Sequence, residues 1–556
     1  MSVTLILIYI VAAFVLCLFF RNNLLHAIIK YKHLESSQVT SDKDVYNIPG
    51  PTRFPIVGTK WIYFWNYKLN QLHSVYKDLN RRFGRIVLEV GDGTPVVHLF
   101  AKQDIEKVLK YPSKYPFRPP SEIFVYHRRA RKDRYSSCGI VNEQGETWHK
   151  LRYGLTPNLT SPRILIGFLP ILNEICDDFI ELIKLKRNED NVVINFQELV
   201  NALGLEALCA LLLGRRMGFL AENPSEQVKN LASAVKTLFI TQRDSFFGTG
   251  LWKYLPTKTW RDFVKSEDTI YETISSIVDK ALDDEKREYN DLDVRNIFYS
   301  ILSTPELDVK DKKSGIIDLM TAGVETLAHT LAFLLQHLSQ NSASQLQIAD
   351  EFRNCPPILS MDHLAEAMYT KACIQESYRL SPTTFAIARV IEDASINLSG
   401  YNLRAGTFVL CHTMIACHSE ENFKFANHFL PERWITAGKD NSRFNLRHSP
   451  NLLMRSFQVE YCSEFDATFE FLLAPKTPVN IRFCDRRHTL ELPLTNILIP
   501  MRKALNHCLI LLWDVGIEHQ LTQRQLTRKT PNTLVDALLF TLLLLLLIRQ
   551  FGLYTH

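Results

Sequence analysis

"GIIDLMTAGVETLAHTLAFLLQHL", residues 315–338, decides how the rest of the chain is read. Apolar residues fall on nearly every side at helical period, so the spacing predicts a helix buried all round. Gly323 in its middle costs about 1 kcal/mol against alanine, and some compensating role is expected. Ala322 and Gly323 leave room beside the backbone, and Glu325 and Thr326 set an acid and a hydroxyl next to it. Two readings stand. Either a small ligand sits in that space with Thr326 donating to it, or helices pack closely there and Thr326 bonds back to a carbonyl of its own helix.

Downstream, "KACIQESYRLSP" (371–382) places Glu376 and Arg379 at i, i+3 on one helix face. Alone, such a pair is a common exposed ion pair worth a few tenths of a kcal/mol. "FLPERW" (429–434) brings Arg433, which would share the Glu376 carboxylate in a buried triad. A triad of that kind fixes a shape more than it adds stability. Upstream, "GETWHKLR" (145–152) places Trp148 and Arg152 at i, i+4. They would grip an anionic group, such as a cofactor carboxylate, or simply stack at the surface. Arg389, in "AIARV", would do likewise.

In order along the chain stand W-x-x-x-R, A-G-x-E-T, E-x-x-R and P-E-R-W. Together they resemble the cytochrome P-450 family of haem-thiolate monooxygenases, from Pro49 to Trp434 and again from Phe457. Within it, "YPFRPPSEIFVYHRRARKDRYSSCGIVNEQGETWHKLR", "LGRRMGFL" and "LWKYLPTKTWRDF" are similar to the ecdysteroid hydroxylase group of the mitochondrial clan. The resemblance implies a mostly α (α+β) fold, a large helical domain with a minor β-sheet, and haem as cofactor. It implies that Trp148, Arg152 and Arg389 bind the haem propionates. Ala322, Gly323, Glu325 and Thr326 would line an oxygen groove and relay protons, and Glu376, Arg379 and Arg433 would hold the core behind the haem. The implied reaction hydroxylates an unactivated C–H bond of a steroid (an ecdysteroid) with dioxygen and two electrons. The electrons would come from a ferredoxin-type or reductase donor docking near Lys371. The implied pocket draws on the 118–137 loop, helix 315–338 and residues 381–388.

The family holds its iron by a cysteine in a glycine-rich loop, F-x-x-G-x-R-x-C-x-G, followed by a long helix. Glycines let such a loop bend, and N–H groups and cations keep the sulfur deprotonated. Here no glycine stands between Lys439 and Phe465. Cys462 lies in "SFQVEYCSEF", where Phe457, Val459 and Tyr461 alternate with polar residues in a strand pattern. Glu460, Glu464 and Asp466 are expected to surround the thiol with negative charge, so Cys462 is read as no ligand. "FEFLLAPKTPVNIRF" then resembles the family's closing strands, so the loop and helix are missing between Met454 and Phe457. A buried helix of about six large apolar side chains contributes on the order of 10–20 kcal/mol, against a net stability of about 5–15 kcal/mol. The chain as written is therefore expected to fold poorly or bind haem weakly, which opens the alternative of a non-catalytic, haemless splice form or a misread gene product. "CHTMIACH" (411–418) holds Cys411, His412, Cys417 and His418, but the spacing matches no standard zinc pattern.

The periodicity predicts an amphipathic helix over 68–82, strands over 85–91 and 95–100, and short strands in "INLSGYNL" and "TFVLC", segregated from the helices. Residues 2–20 carry no charge and, as a helix, span roughly 28 Å, with Arg21, Lys30 and Lys32 following. Residues 1–30 are read as a membrane anchor or targeting segment, for mitochondrion or endoplasmic reticulum. Residues 31–485 are read as the P-450-like domain, incomplete near 454–457. Residues 486–556 are an atypical tail with an apolar run at 537–548. A net charge of +5 over 556 residues argues against nucleic acid as a partner, and "HRRARKDR" (127–134) is read as a solvated loop. Eleven cysteines without pattern read as reduced thiols.

Overall fold

Pro49 and Gly50 tie the start of the body to a strand. The Leu88 N–H donates to the Pro49 carbonyl (2.9 Å), and a Cβ built on Gly50 would lie 2.0 Å from the Leu88 oxygen, so only glycine fits there. This computed structural model describes residues 43–285, 304–351, 367–435 and 458–484, apart from a few short interruptions. The expected anchor, the junction near 454–457 and the tail with its apolar run lie outside the described residues. The described residues form two units, which are taken separately.

The smaller unit comprises the described chain up to Tyr111, Pro116–Arg118 and Ala386–Ala416. In it, β2 (Ile86–Gly91) and β3 (Thr94–Leu99) form an antiparallel hairpin; β3 pairs in parallel with β8 (Phe408–Cys411), and β8 antiparallel with β5 (Ile387–Val390). A second sheet has the order β1 (Lys43–Asp44), β7 (Tyr401–Leu403), β6 (Ile396–Leu398). Ser399 and Gly400 both take positive φ (49° and 83°), the two-residue turn that matches the twist of paired strands. Helix α1 (Leu72–Phe83) buries Leu72, Val75, Tyr76 and Leu79 on one face, as its period demands. Helix α2 (Lys102–Leu109) buries Asp104, whose carboxylate accepts from the Ser399 N–H (3.2 Å) and hydroxyl. The predicted helix and strands are thus found within a few residues of their expected limits.

The larger unit is mostly helical. It contains α3 (Glu122–Ala130), α4 (Gly145–Leu159), α5 (Pro162–Lys186), α6 (Phe196–Leu213), α7 (Glu226–Phe247), α8 (Lys258–Glu285), α9 (Val309–Ser339), α10 (Ser342–Glu351) and α11 (Met368–Leu380). The helix at the heart of the sequence reading is α9. Asp308 caps its N-terminus by accepting from the Asp311 N–H (2.8 Å), which extends it past Gly315. It is long and apolar enough to cross a membrane, yet it is buried within this unit and serves as a core helix. It packs along α6, and α7 packs along α8. Strand β12 (Ile481–Cys484) lies between β4 (Val192–Val193) and β9 (Gln458–Tyr461), and β10 (Ala467–Phe469) pairs with β11 (Leu473–Pro475). Strands from early and late sequence therefore meet in the same small sheets, within the expected mostly helical α+β fold. Pairing here follows the burial of Val193, Phe196, Ile481 and Phe483, which no local pattern encodes.

Candidate active site

Ala322, Glu325 and Thr326 are all buried on α9. The Thr326 hydroxyl lies 3.0 Å from the carbonyl oxygens of both Ala322 and Gly323 and donates back to its own helix, the second of the two readings of this segment. Glu325 turns to a residue that sequence reasoning missed. Its Oε2 is 2.9 Å from Nε2 of His329, one turn on, while its Oε1 is buried with no hydrogen-bond partner among the described residues. The signal was there as an i, i+4 acid–imidazole pair.

On α4, Arg152 Cζ stands 5.4 Å from the Trp148 ring centre, so the i, i+4 spacing does bring the two together. Burial pushes the Arg152 guanidinium down to about 10, and its Nη1 is enclosed with no hydrogen-bond partner among the described residues. A buried cation with an orphaned donor is costly unless an anion meets it. Arg389 belongs to the smaller unit, on β5. It is buried, its Nη1 donates to the Ala388 carbonyl (2.9 Å), and burial lowers its pKa, partly offset by Cys411 and Glu392. In the same unit Arg118, from "YPFRPP", was not anticipated. Burial, and then the Arg389 charge beside it, push its guanidinium down to about 9. Two cations enclosed together concentrate positive charge there.

Glu376 is fully buried and gathers the C-terminal motifs. Arg379 grips it with two arms (Nε to Oε2 and Nη2 to Oε1, both 2.9 Å), and Arg433 Nε reaches Oε1 at 3.0 Å. Two further donors were not foreseen: the Leu430 N–H (2.9 Å to Oε1) and the Trp434 indole (2.9 Å to Oε2). Arg379 also donates to the carbonyls of Cys417, Ala426 and His428. Desolvation pushes the Glu376 carboxyl up, but the bonds from Arg379, Leu430 and Trp434 and the Arg379 charge outweigh it and hold it below the usual carboxylate range.

Cys462 sits exposed just past β9, its Sγ 3.6 Å from the Glu460 carbonyl and its N–H on the Asn480 carbonyl. The expected acidic surround is corrected, because each acid has a cation. Glu460 pairs with Arg482 (2.7 Å), and Glu464 and Asp466 pair with Lys476 (3.0 and 3.3 Å). In the sequence no cysteine stands between Cys417 and Cys462. "CHTMIACH" does not converge either. His412 bonds His98 (2.9 Å), His418 faces the Leu380 carbonyl (2.7 Å), and no group of three metal-ligating side chains forms among the described residues. The "HRRARKDR" run is only partly solvated. Arg128 is buried between Glu267 (2.9 Å) on α8 and Asp318 (2.7 Å) on α9, His127 is buried beside it, and Arg129, Lys132 and Asp133 face water. Arg152 thus fits a cofactor with carboxylate arms, whereas the loop that would ligate its iron is not in this sequence.

The sequence profile described as Cytochrome P450 matches residues 48–451, and the chain belongs to that family. Haem-dependent monooxygenation is its class of chemistry. The chain is 48% identical over 509 residues to ecdysone 20-monooxygenase of Drosophila melanogaster, covering 84% of this chain and 94% of that protein. It is 26% identical over 411 residues to the mouse mitochondrial 1,25-dihydroxyvitamin D(3) 24-hydroxylase (72% and 77% covered). It is 28% identical over 413 residues to the mitochondrial cytochrome P450 302a1 of Drosophila melanogaster (72% and 82%). The first alignment runs over 509 residues, more than 84% of a 556-residue chain supplies, so part of that fly protein has no counterpart here.

Proposed function

We propose that this chain inserts one atom of dioxygen into an unactivated C–H bond of an ecdysteroid. The observation that carries the reading is the 48% identity to the fly ecdysone 20-monooxygenase across 94% of its length. Haem, when bound, supplies the activation of dioxygen. Trp148 and Arg152, with Arg389, neutralise its carboxylates, and the orphaned Arg152 donor supports that role. Ala322 and Gly323 border the oxygen groove. Thr326 turns its hydroxyl from its own carbonyls into that groove, and Glu325 exchanges protons with it. Glu376, Arg379 and Arg433 hold the backbone behind. The substrate pocket draws on the 118–137 loop, α9 and residues 381–388.

Residues 1–30 would anchor or target the chain, 31–485 form the catalytic body, and 486–556 form the tail. Because several relatives are named mitochondrial, we place the chain at a mitochondrial membrane, taking electrons from a ferredoxin-type donor that docks near Lys371. The haemless alternative is carried only by the missing loop, and the transcript across codons 434–470 decides which product the cell makes.

The test is turnover with ferredoxin, its reductase and labelled dioxygen. The chain as written and a chain with the loop restored are each given an ecdysteroid. The restored chain is expected to return a product carrying one labelled oxygen. If it hydroxylates another sterol and leaves the ecdysteroid untouched, the substrate assignment is wrong.

A further inference from the structure

Along one face of α9 run five side chains with buried polar atoms that have no hydrogen-bond partner among the described residues. They are Asp318 Oδ2, Thr321 Oγ1, Glu325 Oε1, His329 Nδ1 and both amide atoms of Gln336. Their spacings of three, four, four and seven residues keep them on one stripe of the helix. Folded proteins leave few buried polar atoms unsatisfied, and a row of them on a single stripe calls for ordered water. His329 is the one member with two ring nitrogens, so it can take a proton on one and give it from the other, and its Nε2 already lies 2.9 Å from Glu325 Oε2.

We infer that this stripe holds a file of ordered water and that His329 passes protons from it to Glu325. The inference rests on the proposed role of Glu325 and adds the residue that recharges it. In the step, the His329 Nε2–H bond breaks as a Glu325 Oε2–H bond forms. Nδ1 takes one proton from hydronium in the file, releasing water, so the ring stays neutral in its other tautomer. Exchange with water restores the first tautomer. His329 acts through Glu325 and is a positioning and relay residue; it does not touch substrate. A packing role alone would be met by any polar side chain of similar size.

Two measurements test this. In the full chain with labelled histidine, ring nitrogen shifts read which nitrogen bonds the carboxylate, with no need of haem. They are expected to place that bond on Nε2 and to change in Glu325→Gln; shifts indifferent to Glu325→Gln overturn the inference. In the loop-restored, haem-loaded enzyme with its electron donor, His329→Asn is expected to slow oxygen consumption by about tenfold or more. It should also enlarge the rate ratio between light and heavy water, with KM unchanged. Equal rates and equal ratios in His329→Asn and the unsubstituted enzyme overturn it. Failure of the substrate reading shows differently, as oxygen consumption without ecdysteroid product in the unsubstituted enzyme.

Discussion

Glu376 receives donors from Arg379, Arg433, Trp434 and the Leu430 backbone, so its charge is bound more firmly in the folded chain than in the unfolded one. Its depressed pKa has a definite sign. The stabilisation is complete above the ordinary carboxylate range and is lost as pH falls through the lower folded value. Glu376→Gln is expected to cost about 3–5 kcal/mol at neutral pH, because it strands Arg379 in the interior. It should also flatten the acid limb of urea midpoints measured against pH. Arg152 works in the opposite sense. Without an anion it is a buried cost, so Arg152→Leu is expected to stabilise the haem-free chain by about 1 kcal/mol or more, read as a higher urea midpoint. The same variant should hold haem less well, and a lower midpoint would show that the guanidinium already has its partner. At this scale the pairs one helical turn apart were legible, because a period of 3.6 residues sets them side by side: Trp148 with Arg152, Glu376 with Arg379. Trp434, the Leu430 N–H and Arg118 were not, since their partners come from distant segments.

Arg128 ties three helices together. From α3 it reaches Glu267 on α8 and Asp318 on α9, and Tyr135 donates to the same Glu267 (3.1 Å). Desolvation opposes the Arg128 charge, but Asp318 and Glu267 outweigh it and hold the guanidinium firmly protonated. Arg128→Met would leave two buried carboxylates facing each other. It is expected to cost about 3–5 kcal/mol and to open the 118–137 segment to protease, whereas Arg129→Met, on the exposed side, leaves both unchanged. Equal cleavage rates in the two variants would show that the ion cluster does not hold the segment. The sequence offered a run of basic residues with no mark on the one that turns inward, because burial of a charge depends on what faces it. The long helix α9 was legible for the converse reason, since apolar residues on every side leave no alternative to a core position.

For the whole molecule, the strands after the missing loop are the informative part. β12 pairs on one side with β9 and on the other with β4, so the chain after residue 457 joins a sheet begun at Val192. We propose that the thiolate loop and the helix after it are absent from this chain. The loop-restored chain of the turnover experiment is therefore expected to show a thiolate-ligated haem spectrum and a higher urea midpoint than the chain as written. The fold class was legible as a whole because the four motifs keep their order over most of the chain. The pairing of early with late strands was not, because register between distant segments has no local signature.

That pairing also sets a timetable. β4 ends at Val193 and its partner strand begins at Ile481, so almost three hundred residues separate them. At a synthesis rate of about 5–20 residues per second, Val192 and Val193 wait on the order of 15–60 seconds for their partner. Throughout that interval the nascent chain exposes an unpaired apolar edge beside Phe196. Covering that edge during synthesis is expected to raise the yield of folded chain.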